Sequence, residues 1–318
     1  MPNWTEVLQE LQKESVAHQQ AAARSNQLAG AVVDTVRRRY LKLLHEKTGR
    51  HTIAYYSGFL SKPNVDGSDI NDEDKNGFMM AVHGLSSIQR AQGLDLILHT
   101  PGGNIAATES LVDYLRRMFA RNIRVIVPQI AMSAGTMLAC SASSIVMAKH
   151  ANLGPIDPHF GRTPAYGVIE EFKKAKREIK KDNSNAYVWQ PILAQYPPAF
   201  LGQCQNAILW SNAFVREQLS SVMFHDEPDA DSKAKHIVRK LSSFVGNRTH
   251  NRHIHFDELQ KMGLKVALVE DDQTLQDLVL TVHHCYMHTL MNTGAYKIIE
   301  NQTGAALVKQ IKMVQVSS

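Results

Sequence analysis

Cysteine is scarce in this chain of 318 residues: Cys140, Cys204 and Cys285 are the only three, widely spaced and odd in number. That argues against a disulfide framework, and a reducing compartment is the simplest reading. Long apolar runs are missing as well. No stretch approaches the ~20 residues a spanning helix requires, and Met1-Pro2-Asn3-Trp4 leads straight into polar residues without the basic-then-apolar order of a secretory signal. A cytoplasmic protein is expected. Charge of one sign is also in short supply, because 35 Lys+Arg against 30 Asp+Glu leave a formal +5. That balance is too mild to indicate a nucleic-acid partner. There is no internal repeat and no low-complexity linker.

Several site signatures are absent too. The chain has no Cys-x-x-Cys pair and no His-Glu-x-x-His, and Pro-Gly-Gly-Asn at 101–104 matches neither the dinucleotide nor the P-loop fingerprint. Asp66, Asp69, Asp72 and Asp74 lack EF-hand spacing and read as a solvated loop that caps the next helix. His250, His253 and His255 are close in sequence, as are His283, His284 and His288, yet a polar helix or interface suits them better than zinc. No metal and no cofactor are expected.

What is present is an ordinary globular composition, 44% hydrophobic and 20% charged. The length suits about two domains of about 150 residues each, or one large α/β core with appendages. Residues 1–48 carry Val7, Leu8, Leu11, then Val32, Val33, Val36, Tyr40, Leu43 and Leu44 at helical spacings. They read as two helices or one broken helix that packs on the core or on another subunit. The basic cluster Arg37, Arg38, Arg39 and Lys42 offers a membrane-surface alternative, which the lack of an aromatic face disfavours.

The organising stretch runs from Leu94 to Gly161. Leu94 to His99 is a short apolar run rich in branched residues, broken by Thr100-Pro101-Gly102-Gly103-Asn104 before a helical pattern starts. Ile123 to Val127 reads as a second buried strand. After Pro128-Gln129, Ser133 stands at the start of a small-residue helix containing Met137, Leu138 and Cys140. Ser144 to Met147 is a further strand, leading to a loop with Gly154, Pro155, Pro158 and Gly161 that should border the site. Helices and strands alternate in the order expected of parallel strands joined by crossovers.

A serine at a helix start has unpaired backbone N–H groups beside it, and glycine lets a second backbone approach closely. The chemistry this arrangement supports is acyl transfer. Ser133 would be the nucleophile, with the N–H groups of Gly103 and Ala134 holding an oxyanion.

Three series in order, Leu98-His99-Thr100-Pro101-Gly102-Gly103, then Met132-Ser133-Ala134-Gly135-Thr136, then Leu153-Gly154-Pro155-Ile156-Asp157-Pro158, resemble the Clp-fold serine peptidases. The similarity is greatest to the serine dehydrogenase proteinase group, related to signal peptide peptidase A, NfeD-type proteases and the Clp proteolytic subunit. It covers His51 to about Glu270. The resemblance implies an α/β fold, a Clp/crotonase-like spiral of β-β-α units, with helical N- and C-terminal additions. It divides the chain into a helical arm at 1–48, a peptidase core at 49–272 and a C-terminal helical extension at 273–318. It also implies a homo-oligomer, since Clp-fold relatives form closed rings, and a protein or peptide substrate. Peripheral membrane association, known among some of these relatives, is not indicated by the residues.

A serine hydroxyl is a poor nucleophile until a base takes its proton. Lys174, in the run Glu170 to Arg177, lies at a distance from Ser133 similar to the serine-lysine spacing of NfeD-type peptidases; burial would have to lower its pKa. His159 is the histidine candidate by comparison with the Clp proteolytic subunit, although Ile156 or Asp157 aligns nearer that histidine's place; His150 ranks below both. The position of the triad acid holds Asn251. The expected function is an ATP-independent serine peptidase working through an acyl-enzyme on Ser133 with a Lys or His base. The alternatives are a crotonase-type acyl-CoA enzyme and a catalytically inactive assembly protein on the same fold.

Overall fold

The computed structural model describes residues 4–25, 32–161, 163–243 and 250–311. Two helices, α1 (Trp4–Ser25) and α2 (Val32–Thr48), precede strand β1 (His51–Ser57). Then come α3 (Asp74–Val82), α4 (Ser87–Ala91), β2 (Leu94–His99), α5 (Ile105–Phe119), β3 (Ile123–Val127), β4 (Ile130–Ala131), α6 (Ala134–Cys140) and β5 (Ser144–Met147). The second half holds β6 (Asn152–Leu153), β7 (His159–Phe160), β8 (Thr163–Pro164), α7 (Ala165–Lys181), α8 (Ala186–Leu193), α9 (Phe200–Gln218) and α10 (Ala230–Leu241). The chain closes through β9 (Ile254–His255), α11 (Phe256–Met262), β10 (Val266–Leu268), α12 (Gln273–Asn292), β11 (Ala295–Asn301) and β12 (Ala306–Gln310).

The central sheet has the order β10-β5-β3-β2-β1-β11-β12, and its first five strands are parallel. Every residue of β1 and β2 is buried, as expected of strands covered by crossover helices on both faces. Asp95 is the second residue of β2 and is fully buried. Such a carboxylate must be paired, and it is: Arg50 Nε donates at 2.7 Å and Arg124 Nη2 at 2.6 Å. A smaller sheet, β4-β6-β9, continues from the carboxyl ends of the parallel strands. The Thr100–Ala131 bridge ties it to the end of β2. This junction is where two strand-turn-helix units meet, the usual place for a site in such sheets.

The N-terminal arm forms two helices that pack on α12 through Val7, Leu11, Val36 and Cys285. Its basic cluster serves internal contacts. Arg37 is fully buried and donates to Glu300 of β11 from Nε at 2.6 Å and from Nη2 at 3.1 Å; Arg38 Nε reaches the same carboxylate at 2.7 Å. Arg39 pairs with Glu10 and Glu14 of α1.

The segment after residue 272, expected to be helical, is helical only as far as Asn292. Its tail forms β11 and β12, which extend the central sheet, β11 pairing antiparallel with β1 and β12 antiparallel with β11. Helices α7 and α9 make a separate small core of Ala165, Val168, Cys204 and Ile208 beside the main one. Among the described residues no helix is long and apolar enough to cross a membrane.

Candidate active site

The glycine turn after β2 is held from two sides. Ile70 N–H donates to the Gly102 carbonyl at 2.7 Å, and Asn104 N–H donates to the Ile70 carbonyl at 2.9 Å. A parallel bridge of this kind engages the neighbours of Gly103 and turns its own N–H to the opposite side. Gly103 itself lines the cleft that Ser133 borders. No side chain fits at residue 103, because a Cβ there would stand 2.3 Å from the Ile70 nitrogen. Gly102 has φ +101°, and a Cβ on it would meet the Met132 carbonyl oxygen and Ser133 Cβ, both at 2.7 Å. The turn is thus pressed against the serine that sequence reasoning singled out.

Ser133 has φ 51° and ψ −115°, a conformation that a non-glycine residue adopts at a cost on the order of 1–3 kcal/mol. A strained residue at a strand-to-helix turn is the geometry by which nucleophilic serines are exposed. Its hydroxyl does not cap α6, whose first residue is Ala134. The Ala134 N–H has no intrahelical acceptor. Because α6 is only seven residues long, local N–H groups rather than a macrodipole supply the positive potential. Thr136 Oγ1 accepts from the Gly154 N–H at 2.9 Å and lies 3.0 Å from the Ala131 carbonyl, locking the serine turn to the loop that leads into Asp157.

Asp157 is 3% exposed. One carboxylate oxygen lies 2.9 Å from His250 Nδ1 and the other 3.1 Å from His159 Nε2. Burial alone would raise this carboxyl, but the hydrogen bonds and charge of His159 and His250 outweigh burial and hold it at about 2. An ionised carboxylate only accepts, so each imidazole gives it an N–H and keeps, when neutral, a lone pair on its other nitrogen: Nε2 in His250, Nδ1 in His159. The two rings stand 4.0 Å apart between centroids, tilted by 36°.

Ser133, Gly103, His159 and His250 line one cleft of about 640 Å³. Pro101, Ile105, Met137, Phe160, Ala207 and Trp210 make its wall largely apolar, with Asn104, Gln203 and Asn206 as polar exceptions. Trp210 Nε1 donates to Glu109 at 2.8 Å, tying α9 to α5 at the rim.

The other sequence candidates fall outside this cleft. Lys174 lies on the open face of α7, its side chain 60% exposed, with Nζ 3.9 Å from Glu178 and 5.7 Å from the centre of the Trp189 ring. The amphipathic pattern of α7 turns Val168 and Ala175 inward, which leaves the lysine-rich stripe to solvent. Asn251 and His150 are exposed and do not line the cleft. Cys140 is fully buried, and burial pushes its thiol up to about 12, so it is no nucleophile.

His159 is a candidate base from the sequence, whereas Asp157 and His250 have no catalytic part in that reading. Asp157 and His159 are two apart on an extended segment and therefore share a face. His250, grouped by sequence with His253 and His255, is brought to them from 93 residues away. No local pattern announces that contact.

The sequence is similar to known proteins. Two similar proteins come from Methanocaldococcus jannaschii and are both named as uncharacterised. The first, MJ1495, is 32% identical over 173 residues, covering 54% of this chain and 51% of its own length. The second, MJ0137, is 29% identical over 230 residues, covering 72% of this chain and 70% of its own. The chain thus spans about half the length of one of them. From residue 33 to residue 299, which takes in both motifs and both histidines, the sequence matches a single family, and the chain belongs to the ClpP-like SDH-type serine proteinases.

Proposed function

We propose that the protein is an ATP-independent serine peptidase acting through an acyl-enzyme on Ser133. The observation that supports this most is the convergence of a strained, cleft-lining serine with the glycine turn on one side and an Asp157-held histidine pair on the other. Ser133 Oγ attacks the peptide carbonyl, and the N–H groups of Gly103 and Ala134 receive the oxyanion. His250 is the favoured base, because it gives Nδ1 to the carboxylate and keeps Nε2 for the cleft, the orientation of Ser-His-Asp catalysis. His159 presents the reverse orientation and stacks on it. Asp157 fixes the tautomer and stabilises the imidazolium that forms when the serine proton is taken; that proton then passes to the leaving amine.

Among the described residues the Ser133 hydroxyl is not hydrogen-bonded to either imidazole. Hydroxyl and imidazole must therefore draw together when a peptide fills the cleft, as is common in free peptidases. The apolar wall suits extended segments with an apolar residue beside the scissile bond. The test is turnover of an apolar fluorogenic peptide by wild type, Ser133→Ala, His250→Ala and His159→Ala. The reading expects Ser133→Ala and His250→Ala each to lose at least a hundredfold in kcat/KM. Unchanged turnover by Ser133→Ala, or by both histidine variants, would overturn it.

A further inference from the structure

Asp157, His159 and His250 have a second chemical capability that proton transfer does not use. Their ligand-capable atoms all lie within 4.8 Å of one another, and they are the one group of this kind among the described residues. Both carboxylate oxygens already face an imidazole nitrogen, at 2.9 Å and 3.1 Å. Two imidazoles and a carboxylate are a ligand set for borderline divalent cations, whereas magnesium and calcium take oxygen-rich sets. Bonds of about 2.0–2.2 Å in a tetrahedral arrangement place donor atoms a little over 3 Å apart, so modest side-chain rotation admits an ion. The cluster borders the cleft, which leaves a fourth position open to water or to a peptide group.

We propose that Asp157, His159 and His250 form a binding site for a zinc-type divalent cation, and that its occupancy switches the peptidase off. The binding site stands on its own geometry; the switch rests on the peptidase reading above.

The switching follows from how an imidazole shares its two nitrogens. In the metal-free arrangement His250 carries its proton on Nδ1, facing Asp157, and a lone pair on Nε2. A cation bound among the three residues takes the Nδ1 lone pair, so the Nδ1 proton passes through solvent to Nε2. The nitrogen facing the cleft becomes a donor. It can no longer accept the Ser133 proton. His159 undergoes the mirror change, with the ion on Nε2 and the proton on Nδ1. No oxidant or further reactant is needed, and removing the ion restores the original tautomers.

The experiment uses the full chain in two arms. In the first, Ser133→Ala protein, freed of metal by chelation, is titrated with Co2+ and then with Zn2+ as competitor. The expected result is one equivalent of Co2+ with tetrahedral-type visible absorption, displaced by Zn2+, and binding at least tenfold weaker in His159→Ala and His250→Ala versions. Circular dichroism checks that each variant is folded. Should one fail to fold, the corresponding glutamine substitution, which keeps a polar group at Asp157, replaces it. Binding that survives both histidine changes, or no stoichiometric binding, overturns the site.

The second arm measures wild-type peptide turnover. Zn2+ at the concentration that fills the site is expected to remove at least nine-tenths of it, the same concentration of Mg2+ to leave it unchanged, and a chelator to restore it. A filled site with undiminished turnover overturns the switch alone. A chain that turns over no peptide and is not labelled at Ser133 overturns both the switch and the peptidase reading, while Co2+ binding still decides the site.

Discussion

Gly102 and Ser133 are in contact to the point that one methyl group would separate them: a Cβ on Gly102 would stand 2.7 Å from Ser133 Cβ, and the glycine has φ +101°. Contact and conformation act together. Gly102→Ala is expected to destabilise the fold by a few kcal/mol, from the left-handed backbone and the clash together, and to lower kcat/KM at least a hundredfold by pushing the serine away from the oxyanion donors. Urea unfolding and peptide kinetics read the two effects. A folded Gly102→Ala protein with wild-type turnover would separate the glycine turn from catalysis.

The loop that grips the turn is itself anchored by a buried ion pair. Lys297 Nζ lies 2.8 Å from Asp74 Oδ1 and 2.5 Å from the Asp69 carbonyl, while Tyr55 donates to the other Asp74 oxygen at 2.8 Å. Ile70, which holds Gly102 and Asn104, sits between these anchors. Lys297→Met leaves the buried Asp74 carboxylate with the Tyr55 hydroxyl and the more distant Lys309 ammonium, 3.8 Å away, and is expected to cost about 3 kcal/mol. Turnover of the surviving folded protein should fall as well, because the Gly103 N–H loses its support. Chemical denaturation and kinetics on the same preparation check both outcomes.

Three residues further along β11, Arg37→Met removes two donors from the buried Glu300 and leaves only Arg38 and Tyr286 on it. A loss of about 3 kcal/mol is expected. None of these residues lines the cleft, so kcat should be unchanged at temperatures where the protein stays folded.

Asp157 gives a pH dependence with a definite sign. Its folded pKa, about 2, lies below its ordinary value of 3.8. The stabilisation is therefore present above about pH 4 and is lost as pH falls toward 2; it amounts to about 2 kcal/mol. Wild type should exceed Asp157→Asn in stability by a constant margin near neutrality, and the margin should shrink below pH 4. A margin that does not change with acid would mean the carboxylate is not held by the histidines.

Lys174→Ala is expected to leave turnover as it is, since the ammonium sits on the solvent face of α7. A large loss of kcat/KM would restore the serine-lysine reading suggested by sequence spacing.

Much of this arrangement was legible beforehand where the signal was local. Leu94–His99, Ile123–Val127 and Ser144–Met147 are strands with the expected bounds, because parallel strands covered on both faces read as mostly apolar runs. Ser133 at the start of α6 and the glycine turn were legible for the same reason: glycine and small residues mark places where backbones must approach. Less was readable where partners are far apart in the chain. Asp157 finds His250 through tertiary folding alone, and Asp95, a lone charge inside an apolar run, gives no hint that Arg50 and Arg124 will meet on it. The residues beyond α12 have a mixed pattern, and their strand state depends on pairing with β1, the first strand of the chain.

The central claim is that the Ser133 hydroxyl is the nucleophile, and the most direct measurement is the intact mass of the protein after treatment with a fluorophosphonate, followed by peptide mapping. The account predicts a single adduct located on Ser133, absent from Ser133→Ala and reduced in His250→Ala. An adduct on another residue, or equal labelling of wild type and Ser133→Ala, would contradict it.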